Sequence, residues 1–359
     1  MSFPNFPNIY DTNTLVKVVP TLKVAQTFML DKFFPNVEMA DSEFITIDID
    51  IGKRRISPFV SPLVEGKLVE QRRYEAATFK PPYIKDKRAP DLRKPVRRQI
   101  GERIGGDLTG EEREMANIEF EMTDQIDMLN RRMEWMAVQT LLTGTLTVKG
   151  EGFPTSVIDY GRSPDLTVAL TGNAQWGVPG NFNGGGRDPI PVQFIEDAQT
   201  TVLQQSGAVM TDIIFTTTAW AKFLNAEGVQ GAVYFPKLSD FGNGLNPGSQ
   251  ITRGAVYKGK WGQYDLWLYN DWYVDDNNIE QRMIPDGAII MCGPDMMGIR
   301  AFAQIVDPAF NYGSMAYAPK TWVENDPPQR FLMMQSAPLV IPSRVNACFA
   351  AQVCVGSAS

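Results

Sequence analysis

Hydrophobic and polar positions along this chain follow two periods, and one stretch dominates. Between Thr109 and Gly144, Met115, Ile118, Met122, Ile126, Leu129, Met133 and Met136 recur at steps of three and four, the spacing of one helical stripe. No proline interrupts them, and Gly110 at the start is the only internal glycine. Thr109 and Glu112 form a capping-box pair whose side chains satisfy orphan amides of the first turn. Gly144 is the residue type that ends helices at least cost. Glu111, Glu112, Glu114, Glu119, Glu121, Asp124 and Asp127 precede Arg131 and Arg132, a charge order that suits the helix dipole. The pattern predicts one helix of about 34 residues, roughly 50 Å long and about three times the usual length. A sheet must cover its stripe.

Elsewhere the period falls to two. Residues 44–51 alternate strictly and read as a strand with one buried face. Residues 57–90 carry strand-like pieces punctuated by Pro58, Pro62, Pro81 and Pro82, and proline confines a strand to an edge or a ribbon. They read as a two-stranded arm reaching about 50 Å from the body. Residues 146–150 and 157–160 suggest a hairpin after the long helix. A helix over 192–206, a strand over 212–217 and a helix over 218–224 capped by Thr218 follow. Strands are expected near 255–257, 263–269, 279–284, 288–291, 298–306, 315–323, 330–339 and 347–355. Phe331-Leu332-Met333-Met334 is apolar on both faces, the mark of a central buried strand. The strands near 44–51 and 315–355 are the candidates to cover the helix. That makes a discontinuous domain with 191–310 inserted as a second, and the class is α+β.

Composition narrows the function. The 359 residues carry a net charge of −7 and no histidine. The absence of histidine removes the commonest general base and the commonest zinc ligand. Cys292, Cys348 and Cys354 form no CxxC pair and read as buried free thiols. No run of about 18 apolar residues suggests a membrane span, and residues 1–10 lack the features of a secretory signal. Residues 1–43 read as an arm too small to fold alone, draped over a neighbour or disordered. Lys80, Lys85, Lys87, Arg88, Arg93, Lys94, Arg97, Arg98 and Arg103 concentrate positive charge. Such a stripe suits nucleic acid, but the chain as a whole is acidic. Pairing with the acidic face of the long helix or of another subunit is the preferred reading. Trp267, Tyr269, Trp272 and Tyr273 suggest either a stacking shelf or cross-strand packing. No phosphate loop, calcium loop or nucleophile elbow is present, so catalytic, cofactor-binding and metal residues are each expected to be none.

Several short motifs then align in order. They are Phe59-Val60-Ser61-Pro62-Leu63-Val64 with Gly66, Asp159-Tyr160-Gly161-Arg162, Tyr257-Lys258-Gly259 before Gly262, Pro319-Lys320-Thr321-Trp322-Val323, and Gln335-Ser336-Ala337-Pro338-Leu339. With these the chain resembles the lambda-type major capsid (head) protein family of tailed phages. The resemblance implies the Hong Kong 97-type capsid fold. Its parts would be an N-terminal arm over 1–43, a peripheral-domain strand over 44–56 and an extended loop over 57–90. A peripheral domain over 91–190 with the long helix at 110–143, an axial domain over 191–310 and return strands over 311–359 complete it. It implies a non-enzymatic subunit that self-assembles as pentamers and hexamers into an icosahedral head around double-stranded DNA. The implied partners are a separate scaffolding protein, a portal at one vertex, a decoration protein, and packaged DNA by weak contact only, with no membrane. The location would be the virion, after assembly in the bacterial cytoplasm. The candidate intersubunit contacts are Phe59, Pro62, Gly66, Tyr74, Lys85, Arg88, Arg93, Arg97 and Arg98. An encapsulin-type nanocompartment shell of the same fold is the alternative.

Overall fold

A computed structural model describes residues 27–50, 65, 74–90, 109–150, 153–178, 188, 190–227, 229, 250–252, 254–275, 277–326 and 328–356. The long helix, α2 (Gly110–Thr143), has the expected ends. The Thr109 hydroxyl accepts from the Glu112 amide, and the Glu112 carboxylate accepts from the Thr109 amide. Gly144 closes the helix in the left-handed region (φ 71°). A Cβ there would run into the Arg162 side chain, so both conformation and space require glycine.

Three sheets and a short helix surround α2. Helix α1 (Phe28–Phe33) precedes β1 (Asn36–Met39). β1 pairs in parallel with β15 (Gly298–Phe302), which pairs antiparallel with β18 (Pro338–Pro342). A second sheet has the order β16 (Ala318–Asn325), β17 (Pro328–Ser336), β4 (Ile84–Arg88). The third has seven strands in the order β7 (Thr167–Ala169), β19 (Phe349–Gln352), β14 (Ala288–Cys292), β8 (Asp212–Phe215), β11 (Tyr264–Tyr269), β10 (Ala255–Trp261), β9 (Gln250–Thr252). Helices α3 (Ile190–Gln205) and α4 (Thr217–Leu224) accompany this sheet. Thr216, not Thr218, is the N-cap residue of α4, and its hydroxyl donates to Ala288 O at 3.1 Å instead of capping the helix.

Helix α2 packs on β18, β19 and β17. Ile118, Met122, Ile126, Leu129, Met133 and Met136 are all buried, joined by Ala137, Val138 and Leu141. Each large side chain contributes roughly 1.5–3 kcal/mol by leaving water. Met115 departs from the expected stripe and is 47% exposed. The adjacent Glu114 pairs with Arg330 of β17 at 3.1 Å.

Four strands pair differently from the sequence reading. Strand β2 (Ile45–Asp50) does not cover α2; it pairs with β3 (Tyr74–Phe79) in a two-stranded ribbon. β4, read as part of that ribbon, instead completes the sheet of β16 and β17. The strand near 298–306 lies beside β18 rather than in the inserted layer, while β19 joins the seven-stranded sheet. Alternation reports which face of a strand is buried but not which strand lies beside it. β17 is central, as expected, yet within the run Phe331–Met334 Leu332 and Met334 are buried while Phe331 and Met333 are half-buried. The other face carries Lys87, whose ammonium lies 3.8 Å from the Phe331 ring centroid.

Met122→Ala should lower unfolding free energy by about 2–5 kcal/mol, because a fully buried side chain leaves a cavity. Met115→Ala should stay within about 0.5 kcal/mol. Urea titration of both variants measures the difference, and equal effects would contradict the assignment of faces.

Candidate assembly surfaces

The described residues contain no cluster of three or more metal-ligating side chains. What the sequence builds instead are junctions and exposed surfaces. The central junction is Glu134, 1% exposed on the inner face of α2. Met29 and Leu30 donate backbone amides to its two oxygens, at 2.8 and 3.0 Å. These are orphan donors of the first turn of α1. The Tyr269 hydroxyl of β11 adds a third bond at 3.0 Å. One carboxylate thus holds together α1, α2 and the seven-stranded sheet. Burial pushes its pKa up to about 7, against the pull of those three donors.

Other contacts fasten α1 from the remaining sides. Lys32 pairs with Asp212 of β8 at 2.8 Å, and its ammonium lies 4.5 Å from the Trp267 ring centroid. Asp31 pairs with Arg300 of β15 at 2.7 Å, and Arg300 Nε also donates to Phe34 O at 2.6 Å. Phe28 packs against Trp267 and Tyr269. Half of the proposed aromatic shelf is therefore roofed by α1. Trp272 and Tyr273 belong to the hairpin of β12 (Trp272–Val274) and β13 (Glu280–Arg282), and Arg282 stacks over Trp272. Cross-strand and interelement packing is the observed arrangement.

A groove of about 600 Å³ runs between β4, α2 and this hairpin. Lys85, Arg131 and Asp275 stand among its polar residues, with Met128 and Trp135 among its apolar ones. Within it Gln125 donates to Asp86 O at 3.0 Å. Buried Gln125 Oε1 and Trp135 Nε1 have no hydrogen-bond partner among the described residues. Periodicity marks Gln125 only as a polar helix position, so sequence reasoning missed it.

The nine expected contact residues separate into three groups. Phe59, Pro62, Gly66, Arg93, Arg97 and Arg98 lie outside the described residues. Tyr74 opens β3 opposite Asp50, and Lys85 lines the groove with its ammonium 5.1 Å from the Tyr83 ring centroid. Arg88 pairs within its own subunit. Its guanidinium meets Asp86 at 3.3 Å, Glu121 at 3.1 Å and Asp124 at 2.5 Å. At this position the basic segment meets the acidic face of its own long helix.

The fold is a long helix laid on strands of three sheets, with the two-stranded ribbon of β2 and β3 beside them. The description "Phage major capsid protein E" matches residues 11–353, and the chain belongs to that family. The major capsid protein of Escherichia phage lambda is 28% identical over 299 residues, covering 81% of this chain and 83% of that protein. That of Escherichia phage N15 is 26% identical over 343 residues, covering 93% and 96%. Among solved structures, a putative capsid protein from an E. coli CFT073 prophage superposes with a TM-score of 0.72 at 20% identity, covering 96% of this chain and 99% of that one. The capsid of cyanophage A-1(L) gives 0.52 at 11% identity, covering 98% and 96%. The Hong Kong 97-type, α+β fold expected from the sequence is the one present, and the protein is a structural component of the phage virion.

Glu134 gives stability a defined pH dependence. Its folded pKa lies above the ordinary carboxylate value, so the folded state holds its proton more tightly than the unfolded one. The contribution of this group is fully present below about pH 4 and is lost as pH rises to about 7, a change on the order of 3 kcal/mol. Glu134→Gln should flatten that slope between about pH 4 and 7 relative to the parent. Denaturant midpoints across the range measure it, and an unchanged slope would remove Glu134 as the cause.

Proposed function

We propose that this chain self-assembles as pentamers and hexamers into an icosahedral head that encloses double-stranded DNA. The observation that carries this reading is the ribbon of β2 and β3. It pairs with no third strand among the described residues, and a two-stranded ribbon is marginal in water. Neighbouring subunits supply the missing cover, and symmetry repeats each weak contact over the shell. In this reading the seven-stranded sheet is the axial domain at the capsomer axis. Helix α2 with its smaller sheets is the peripheral domain. The scaffolding protein, the portal at one vertex and the decoration protein are its assembly partners. The subunit performs no catalysis, and its net charge of −7 keeps contact with packaged DNA weak.

Lys85, Arg93, Arg97 and Arg98 supply positive charge to acidic patches of neighbours, while Phe59, Pro62, Gly66 and Tyr74 supply contacts from the extended loop. Arg88 is already paired at home, so its replacement should act on the subunit and not on the interface. The purified chain under assembly conditions should give megadalton particles by light scattering, with closed shells in electron micrographs. A persistent monomer would overturn the proposal. Arg97→Glu together with Arg98→Glu should reduce particle yield at least tenfold at low salt, since contacts repeated over a shell multiply a small loss per subunit. Unchanged yield would dismiss the assigned contacts.

A further inference from the structure

The seven-stranded sheet sets two of the three cysteines against each other. β14 and β19 run antiparallel, with Ile289 opposite Ala351, Ile290 opposite Ala350 and Met291 opposite Phe349. One further step of this register brings Cys292 opposite Cys348. Cys292 is the last residue of β14, and Cys348 is extended (φ −125°, ψ 144°). Directly opposed residues of an antiparallel pair lie about 4.5–5.5 Å apart at Cα, inside the range of about 4.4–6.8 Å that a disulfide spans. Both thiols are free and buried.

A cation stands beside them. Arg162 donates through Nη1 to Leu141 O at 2.7 Å and through Nη2 to Leu166 O and Cys348 O at 2.8 and 2.9 Å. Its buried Nε has no hydrogen-bond partner among the described residues. The guanidinium is thus held at the Cys348 backbone. Burial alone would raise the Cys348 thiol. The neighbouring Cys292 thiol and the Arg162 charge outweigh it, so the thiol sits below its ordinary value. Burial drives Cys292 the other way. The pair thus has unequal members, one primed to attack and one to follow.

We propose that Cys292 and Cys348 form a peroxide-oxidisable pair that closes into a cross-strand disulfide between β14 and the start of β19. The Cys348 thiolate attacks one oxygen of hydrogen peroxide. The O–O bond breaks, hydroxide leaves, and Cys348 becomes a sulfenic acid. The Cys292 sulfur attacks that sulfenic sulfur, the S–S bond forms and the S–O bond breaks. The departing hydroxide takes the Cys292 proton as water. The proton released when Cys348 ionised converts the first hydroxide to water. Two thiols lose two electrons and one peroxide yields two waters. A small oxidant suits a site closed to larger ones. The inference rests on strand register and Arg162, and it holds or fails independently of the shell reading.

The test treats the full chain and its Cys354→Ser variant with hydrogen peroxide under native conditions. Free thiols counted in denaturant should fall from three to one in the parent and to none in the variant, with a loss of about 2 Da per chain. Peptide mapping should join Cys292 to Cys348, and the melting temperature should rise because the link closes a long loop. Cys292→Ser should leave Cys348 to accumulate as a dimedone-trapped sulfenic acid without the link. An unchanged thiol count overturns the proposal, as does a bridge to Cys354. So does advance of Cys348 to the sulfinic acid while Cys292 stays free.

Discussion

The structure depends on covering the apolar stripe of α2. Thirty-four helical residues present more apolar length than one small sheet can hide. β17, β18, β19 and α1 share the task. These elements belong to three different sheets and to the N-terminal segment, so the helix is the element through which they communicate mechanically. Removing any one cover exposes part of the stripe and loosens the others. One contiguous buried cluster extends from Phe28 through α2 to Cys354, the packing signature of that dependence.

Glu134 makes the same point with polar chemistry. A carboxylate in an apolar stripe is costly unless each oxygen has partners. Here the partners are the two orphan amides of α1 and the Tyr269 hydroxyl. The penalty falls on the folded state as a whole, while the specificity falls on where α1 sits. A helix start aimed at Glu134 supplies two of its three hydrogen bonds. Lys32 with Asp212 and Arg300 with Asp31 then fix the remaining sides of α1. A segment of only six residues is thereby held from three directions.

Local signals were legible in the residues and partnerships were not. Thr109, Glu112 and Gly144 marked the ends of α2 because capping is decided within a few residues. The stripe named its buried face because helical period reports burial directly. The hairpin of β5 (Thr145–Gly150) and β6 (Phe153–Asp159) follows from short-range connection. By contrast β2 alternates as cleanly as any core strand, yet it pairs with β3 outside the main sheets. Its period is identical in either setting. The exchange of β15 and β19 between layers was hidden for the same reason. Of the assembly surface, basic composition identified Arg88 but not its destination, since Glu121 and Asp124 become its partners only once β4 docks on α2. Gln125 and Trp135 carried no signal at all; their orphan atoms exist only in three dimensions.

The two-stranded ribbons also explain why the subunit lacks the economy of a solitary globular protein. A strand pair that joins no larger sheet among the described residues is marginal by itself. Exposed Phe44, Phe120, Met128, Val157 and Val274 would be liabilities if the chain worked alone, because apolar surface left in water invites association. In a shell that association is the product. The ribbons thus join the core at one face, through Ile45, Leu146 and Ile158, and leave apolar side chains such as Phe44 and Val157 exposed at the other.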